Sequence, residues 1–354
     1  MNDLESLYIS ISDDFELLKF PSYGILRRKV NSNINQNNRM ELGKNSTEGT
    51  VELINKEAVK VLEFCDGKRK LKEIVEMFSY GDHVRREKIK QFLIQAVNKG
   101  HLVLKEKKRI ISVSNVKGKD DYYLPAHLVI ELTDDCNLKC VHCYRTNSRG
   151  KYIDYDSLKS LLHILSTETV CSVEFTGGEP TLHPNFLEIM EFAVQRFWLV
   201  GILTNAVELT DEVLEKLSAY RDRVFWSISL DSHDENYHDR FRGRKGAWIQ
   251  TVNNIKKIVS QGYFVRISMC VTHENIPHIK SVAELCSKMG VKAFSYSPIL
   301  PFGKSYDYIW QYNDILKLSE EDKYVRQKYG NIIPYIQLKE FNKEHINENC
   351  GAGW

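Results

Sequence analysis

The chain has 354 residues, 42% hydrophobic and 27% charged, with a formal net charge of +2. That composition excludes a fibrous, a disordered or a nucleic-acid-coating chain, and the length accommodates two unequal domains. No apolar run approaches the roughly 20 residues of a membrane helix, and the opening Met-Asn-Asp-Leu-Glu-Ser lacks the basic and apolar blocks of a signal peptide, so a cytoplasmic location is expected. In a reducing compartment the eight cysteines point to metal or redox sites before disulfides, and three of them fall within eight residues.

Residues 31–49 are polar and Asn-rich, as in a solvated loop. A short strand over Thr50 to Ile54 then leads into a helix marked by Ala58, Val59, Leu62 and Phe64, with Gly67 as its left-handed cap. Leu71, Ile74, Val75 and Phe78 mark a second helix. Ile89, Phe92, Leu93, Ala96 and Val97 mark a third, stopped by Gly100. Leu102 to Leu104 and Arg109 to Ser114 read as a hairpin. Residues 1–114 thus read as a winged-helix-like α+β domain and 115–125 as a linker.

From residue 126 to 304 short apolar runs alternate with amphipathic helices, the pattern of βα units on a parallel sheet. Strands are expected at Leu128 to Leu132, Ser172 to Phe175, Leu199 to Leu203, Val224 to Ser229, Val265 to Val271 and Ala293 to Tyr296. Helices are expected at Asp156 to Leu165, Pro184 to Arg196, Thr210 to Tyr220, Ala247 to Ser260 and Ile276 to Met289. The fold class is α/β, a partial (β/α)6 barrel. Residues 305–354 form a C-terminal extension in which Ser319 opens one helix, and 331–349 are ambiguous between strand and loop.

Each expected strand is followed at once by polar or glycine residues: Cys136 to Cys143, Thr176 to Pro180, Thr204-Asn205, Asp231, Thr272 to Asn275, and Ser297-Pro298. In a βα barrel these strand ends converge on one active site. The sharpest signal is Cys136-Asn-Leu-Lys-Cys140-Val-His-Cys143. Four thiolates usually saturate a cubane, so three leave one iron open for a substrate ligand. Zinc with His142 or a distant fourth ligand, or three plain buried cysteines, are the alternatives, although zinc sites more often use C-x2-C pairs. Further on, Gly177 and Gly178 let backbone approach a ligand, Glu179 offers an anion to an ammonium, and Pro180 fixes the turn.

With Tyr144 after the third cysteine and Gly177-Gly-Glu-Pro180 downstream, residues 126 to about 304 resemble the radical S-adenosylmethionine (SAM) superfamily. The resemblance implies a [4Fe-4S] cluster on Cys136, Cys140 and Cys143. It also implies SAM chelated at the open iron, with Gly177, Gly178, Glu179, Pro180 and Tyr144 around it. Ser227-Ile-Ser-Leu-Asp231 resembles that family's fourth-strand motif, which places Ser229 and Asp231 near ribose and methionine; otherwise Asp231 caps the next segment, with His233, His238 and Arg242. Thr204, Asn205, Thr272 and Asn275 are supporting candidates, or simply close strand ends.

The N-terminal module resembles the peptide-recognition element of peptide-maturation systems, which implies a leader peptide added as an extra strand near Val51 to Ile54 and Lys88 to Val97. Lys68, Arg69, Lys70, Arg85, Arg86, Lys88 and Lys90 also allow a nucleic-acid-binding winged helix, the less favoured reading. Cys350-Gly-Ala-Gly-Trp354 resembles the opening of a SPASM-type cysteine-rich extension with auxiliary [4Fe-4S] clusters, with Cys350 as a ligand and the extension cut short. The implied activity is radical modification of a ribosomally made precursor peptide. A thioether is favoured over a carbon-carbon crosslink or epimerisation, with flavodoxin or ferredoxin as electron donor and no membrane partner. The alternatives are a radical maturase of a folded protein or haem-type cofactor, and a DNA-binding Fe-S regulator.

Overall fold

A computed structural model describes residues 4–30, 51–109, 115–119, 121–145 and 150–330. The chain divides into two units, residues 1–126 with 163–170, and residues 127–162 with 171–354.

The first unit carries β1 (Tyr8–Ile11), β2 (Phe15–Lys19), β3 (Tyr23–Arg28), β4 (Val51–Asn55), α1 (Lys56–Glu63), β5 (Asp66–Lys70), α2 (Leu71–Ser79), α3 (His83–Asn98), β6 (Leu102–Lys105) and β7 (Val116–Lys117). One sheet runs β5-β1-β6 and the other β4-β3-β2-β7. Ile9, Leu17, Leu71, Ile74 and Leu93 centre its core. Asn55 and Asp82 cap α1 and α3 by accepting from the amides of Ala58 and Arg85.

Three local expectations change here. Gly67 is left-handed (φ 78°) but lies inside β5, while α1 ends earlier, at Phe64. The β6 residues Leu102 to Lys105 pair with β1, which shows no legible pattern in sequence, and the Arg109 amide bonds to the Gly67 carbonyl at 2.9 Å. Residues 110–114 lie outside the described residues. Val116–Lys117, expected in a linker, run parallel to β2. Of the basic residues, Lys68 and Arg69 pair with Asp66, and Arg86 and Lys90 with Glu5.

In the second unit β8 (His127–Thr133), α4 (Tyr155–Thr167), β9 (Ser172–Gly177), α5 (Phe186–Val194), β10 (Leu199–Thr204), α6 (Asp211–Leu217), β11 (Val224–Ser229), α7 (Glu235–Arg242), α8 (Ala247–Ser260), β12 (Phe264–Val271), α9 (Ile279–Met289), β13 (Ala293–Pro298) and α10 (Tyr312–Tyr329) follow one another. The six strands lie side by side in chain order, all parallel, the partial barrel expected. Along β12 the burial alternates. Val265, Ile267, Met269 and Val271 are buried, while Arg266, Ser268 and Cys270 share the opposite, more accessible face. Phe175, Ile202, Trp226 and Phe294 complete the buried core. No helix among the described residues is long and apolar enough to cross a membrane.

Within the first unit Glu16 is buried and its carboxylate meets Arg27 at 2.6 Å and Lys117 at 2.9 Å. Burial pushes its acidity toward the neutral form, but the two cations outweigh that and hold it below the ordinary 4.5. A lowered carboxyl contributes stability that is complete above its unfolded value and is lost as pH falls through the folded one. Glu16→Gln removes the buried negative charge that Arg27 and Lys117 share, so it should cost about 3–5 kcal/mol at neutral pH and flatten the loss of stability on the acid side of pH 4.5. Urea titrations at several pH values read both effects, and an unchanged midpoint would show that the pair is not a stabilising contact.

Candidate active site

After Thr133 the chain leaves β8 in an irregular loop carrying Cys136, Cys140 and Cys143, so its polar backbone must find partners outside any ladder. The C-terminal carbonyls of α7, which have no acceptor role within the helix, supply two. Lys139 donates to the Arg242 carbonyl at 3.1 Å and Val141 to that of Phe241 at 3.0 Å. Gly243 follows with φ 69°, and a Cβ there would stand 2.4 Å from the Lys139 oxygen. From the far end of the sheet, the Lys304 amide donates to the Cys143 carbonyl at 3.0 Å and its ammonium to that of Cys140 at 3.2 Å.

The end of β9 presses on the same loop. The Gly178 amide donates to the Thr133 carbonyl at 2.8 Å and the Glu179 amide to that of Asp135 at 2.7 Å. A Cβ on Gly177 would lie 2.2 Å from the Thr133 oxygen, and one on Gly178 1.9 Å from the Asp135 oxygen. The close approach of these two backbones therefore requires both glycines. Glu179 ties the same strand ends together. Fully buried, it accepts from Thr181 Oγ1 (2.7 Å), Thr204 Oγ1 (2.6 Å) and the Asn205 amide (2.8 Å). Burial pushes its pKa above the ordinary carboxylate value, against the pull of those donors. Its side chain joins β9 to β10, and Pro180 opens a short 3-10 turn beyond it.

Asn205 carries the connection onward, its amide nitrogen 2.8 Å from Asn137 Oδ1 and 4.0 Å from Cys136 Sγ. Asp231 is wholly buried, taking Arg242 Nε at 2.6 Å and the Cys270 amide at 2.9 Å. The segment that follows is capped instead by Asp234, which accepts from the Tyr237 amide. Ser229 closes β11 opposite Ser268, half-buried. Asn275 Oδ1 accepts from the Thr272 amide at 2.7 Å. Thr272 in turn lines a cavity of about 330 Å³ with Val141, His142, Phe241 and Tyr308. Tyr144 is half-exposed, its hydroxyl donating to Glu131 at 2.5 Å. Cys350 lies outside the described residues.

The thiols have sulfur-directed donors: the Leu138 amide 3.4 Å from Cys136 Sγ, and Arg242 Nη1 3.7 Å from Cys140 Sγ. Burial pushes the Cys136 thiol up to about 11 and also raises Cys140, Arg242 opposing the latter. His142 stacks on Phe241 at 4.3 Å, and burial brings its imidazole down to about 4, hence neutral. Among the described residues no three His, Cys, Asp or Glu side chains converge on a single-ion site.

Against known proteins, residues 130–286 match the profile of the Radical SAM superfamily. These residues form a radical SAM domain. The chain is 34% identical over 262 residues to the antilisterial bacteriocin subtilosin biosynthesis protein AlbA of Bacillus subtilis, a match covering 70% of this chain and 58% of AlbA. It is 29% identical over 248 residues to the sporulation killing factor maturation protein SkfB of the same organism, covering 68% and 59%. The chain thus spans less than two thirds of these curated relatives. Streptococcus suis SuiB, solved with S-adenosylmethionine, shares the fold over 92% of this chain and 72% of SuiB, at 17% identity and a TM-score of 0.61. SuiB has also been solved with its precursor peptide SuiA, at a TM-score of 0.59 and 16% identity.

A radical SAM domain works with a [4Fe-4S] cluster and SAM. The loop suits such a cluster. Its donors are three sulfurs, hydrogen bonds already aim at two of them, and two polar atoms beside the cysteines, Asn137 Nδ2 and His142 Nδ1, are buried without a partner. Sequence reasoning missed Asn137, Arg242, Gly243 and Lys304 as loop supports. Asp234-Glu235 and Gly243 were legible start and stop signals for α7. Gly178→Ala should cost on the order of 1–3 kcal/mol by overpacking and lower the iron retained after reconstitution, read by urea melts and iron analysis. Wild-type stability and iron content would contradict the backbone contact.

Proposed function

We propose that the chain is a radical SAM maturase of a ribosomally made precursor peptide, with Cys136, Cys140 and Cys143 as the cluster ligands. The observation that carries the reading is three thiols in one loop, with donors directed at sulfur, at the C-terminal mouth of a half-barrel. The likeness to AlbA and SkfB, named for bacteriocin biosynthesis and killing-factor maturation, turns it toward peptides. When bound, the cluster and SAM supply a 5′-deoxyadenosyl radical by one-electron cleavage of the sulfonium, and that radical takes a hydrogen atom from the substrate.

The chain's own residues hold and shield. The loop fixes the thiols, Glu179 and Asn205 keep the β9 and β10 ends against it, and the cavity beside His142 and Thr272 receives a ligand next to the cysteines. Gly177, Gly178, Glu179 and Pro180 thereby shape the SAM site through the loop, with Thr204, Asn205 and Asp231 behind them. Ser229, Tyr144 and Thr272 are the more accessible members. A flavodoxin or ferredoxin supplies the electron in the cytoplasm, and a thioether is the product we favour over a carbon-carbon crosslink or an epimer.

For the leader, β4 is an edge strand of its sheet among the described residues and Leu53 is 76% exposed on it, while Glu52 meets Lys99 after α3 at 2.5 Å. A peptide strand added there would gain main-chain hydrogen bonds. The test is anaerobic reconstitution followed by dithionite reduction and chromatography of 5′-deoxyadenosine. The substrate tested is a candidate precursor peptide, such as one encoded by a short reading frame found beside the gene, with and without its leader. Production by wild type, and none by the variant carrying Cys136→Ala, Cys140→Ala and Cys143→Ala, supports the enzyme reading; bound iron with no 5′-deoxyadenosine under any condition contradicts it. Modification indifferent to the leader would favour a folded-protein or haem-type substrate. Leu53→Glu should weaken peptide binding about tenfold, on the order of 1.4 kcal/mol, by fluorescence anisotropy, and unaltered affinity would remove β4 from the leader site.

A further inference from the structure

Arg242 is the last residue of α7, and its guanidinium is divided between two partners. Nε lies 2.6 Å from Asp231 Oδ2, which leaves Nη1 to reach Cys140 Sγ at 3.7 Å. Both side chains are buried, Arg242 at 9% exposure and Asp231 at 0%. Asp231 is itself fixed. Its second oxygen takes the Cys270 amide, its carbonyl takes Asn275 Nδ2 at 3.1 Å, and its amide faces His238 Nδ1 at 3.2 Å. The Lys139 and Val141 bonds tie the helix backbone to the cysteine loop, and the Asp231 bond holds the guanidinium beside the sulfur.

We propose that Arg242 and Asp231 set the reduction potential of the cluster, Arg242 by donating a charged hydrogen bond to the Cys140 sulfur and Asp231 by aiming that donor and offsetting its charge. The inference rests on the proposed cluster assignment to Cys136, Cys140 and Cys143. Reduction adds one electron to a centre whose negative charge is delocalised onto its thiolates. A buried cation and an N–H at one of them favour the reduced state, and the low local dielectric enlarges the effect. Asp231 carries the opposite charge, so the pair is a bias of adjustable sign. It brings the cluster within reach of a flavodoxin- or ferredoxin-type donor without leaving a lone charge in the interior. Arg242 and Asp231 are positioning residues in this scheme, acting through Cys140.

The two halves of the pair should shift the potential in opposite directions, which a purely structural role would not do. Reconstituted wild type, Arg242→Gln, Arg242→Lys and Asp231→Asn are titrated anaerobically with a reductant while the reduced-cluster electron paramagnetic resonance signal is followed, with iron measured on each sample. Arg242→Gln should move the midpoint negative and Asp231→Asn positive, each by at least about tenfold in the one-electron equilibrium, about 59 mV, with Arg242→Lys between wild type and Gln. If Arg242→Gln no longer holds iron, Arg242→Lys carries the comparison. Coincident midpoints, or shifts of one sign in both variants, overturn the proposal. A wild type that holds no cluster, or iron retained by the triple cysteine-to-alanine variant, instead overturns the assignment beneath it.

Discussion

The cysteine loop after β8, residues 134–145, belongs to no helix or sheet, and much that is distinctive in the second unit follows from the need to hold its backbone still. An irregular segment at a strand end leaves amides and carbonyls that must be paired elsewhere. Here they are paired from three directions, by the β9 end, the C-terminus of α7 and Lys304 beyond β13. None of these contacts is made by a cysteine side chain. The three thiols are left to be directed by the fold and are met by donors at 3.4 and 3.7 Å.

That division of labour explains why so much polarity is buried at the barrel mouth. Glu179 and Asp231 are 1% and 0% exposed, and each is held by donors from neighbouring elements. A buried carboxylate is costly unless fully hydrogen-bonded, so each such residue fixes several strand ends at once. The Glu179 carboxylate joins the turn after β9 to the β10 end, and Asn205 passes that order to Asn137 and Cys136. A ligand entering the cavity beside His142 thus meets walls whose geometry is set before it arrives.

Much of this was legible in sequence where burial is simple. The parallel strands read as apolar runs, and Val224–Ser229 and Ala247–Ser260 fall on the expected residues because the buried positions of β11 and α8 are mostly apolar, broken only by small hydroxyl residues. The β1 to β3 region showed no such pattern. Phe15–Lys19 is buried throughout, yet includes Glu16 and Lys19, whose charges meet partners distant in sequence. For the same reason α7 escaped notice: Tyr237 and Phe241 share its buried positions with His238 and Arg242. The Gly177-Gly178-Glu179 motif was visible, but residue type alone does not say whether a glycine faces a ligand or another backbone, nor which donors a buried carboxylate has already taken.

The central claim is that this scaffold presents three thiolates to a cubane and leaves one of its irons open to SAM. Mössbauer spectroscopy of the reconstituted protein, with and without SAM, tests it most directly, because four-thiolate ligation would leave no site to respond. The account predicts that a single iron changes its isomer shift and quadrupole splitting when SAM is added, while the others do not. A spectrum unaltered by SAM would contradict it.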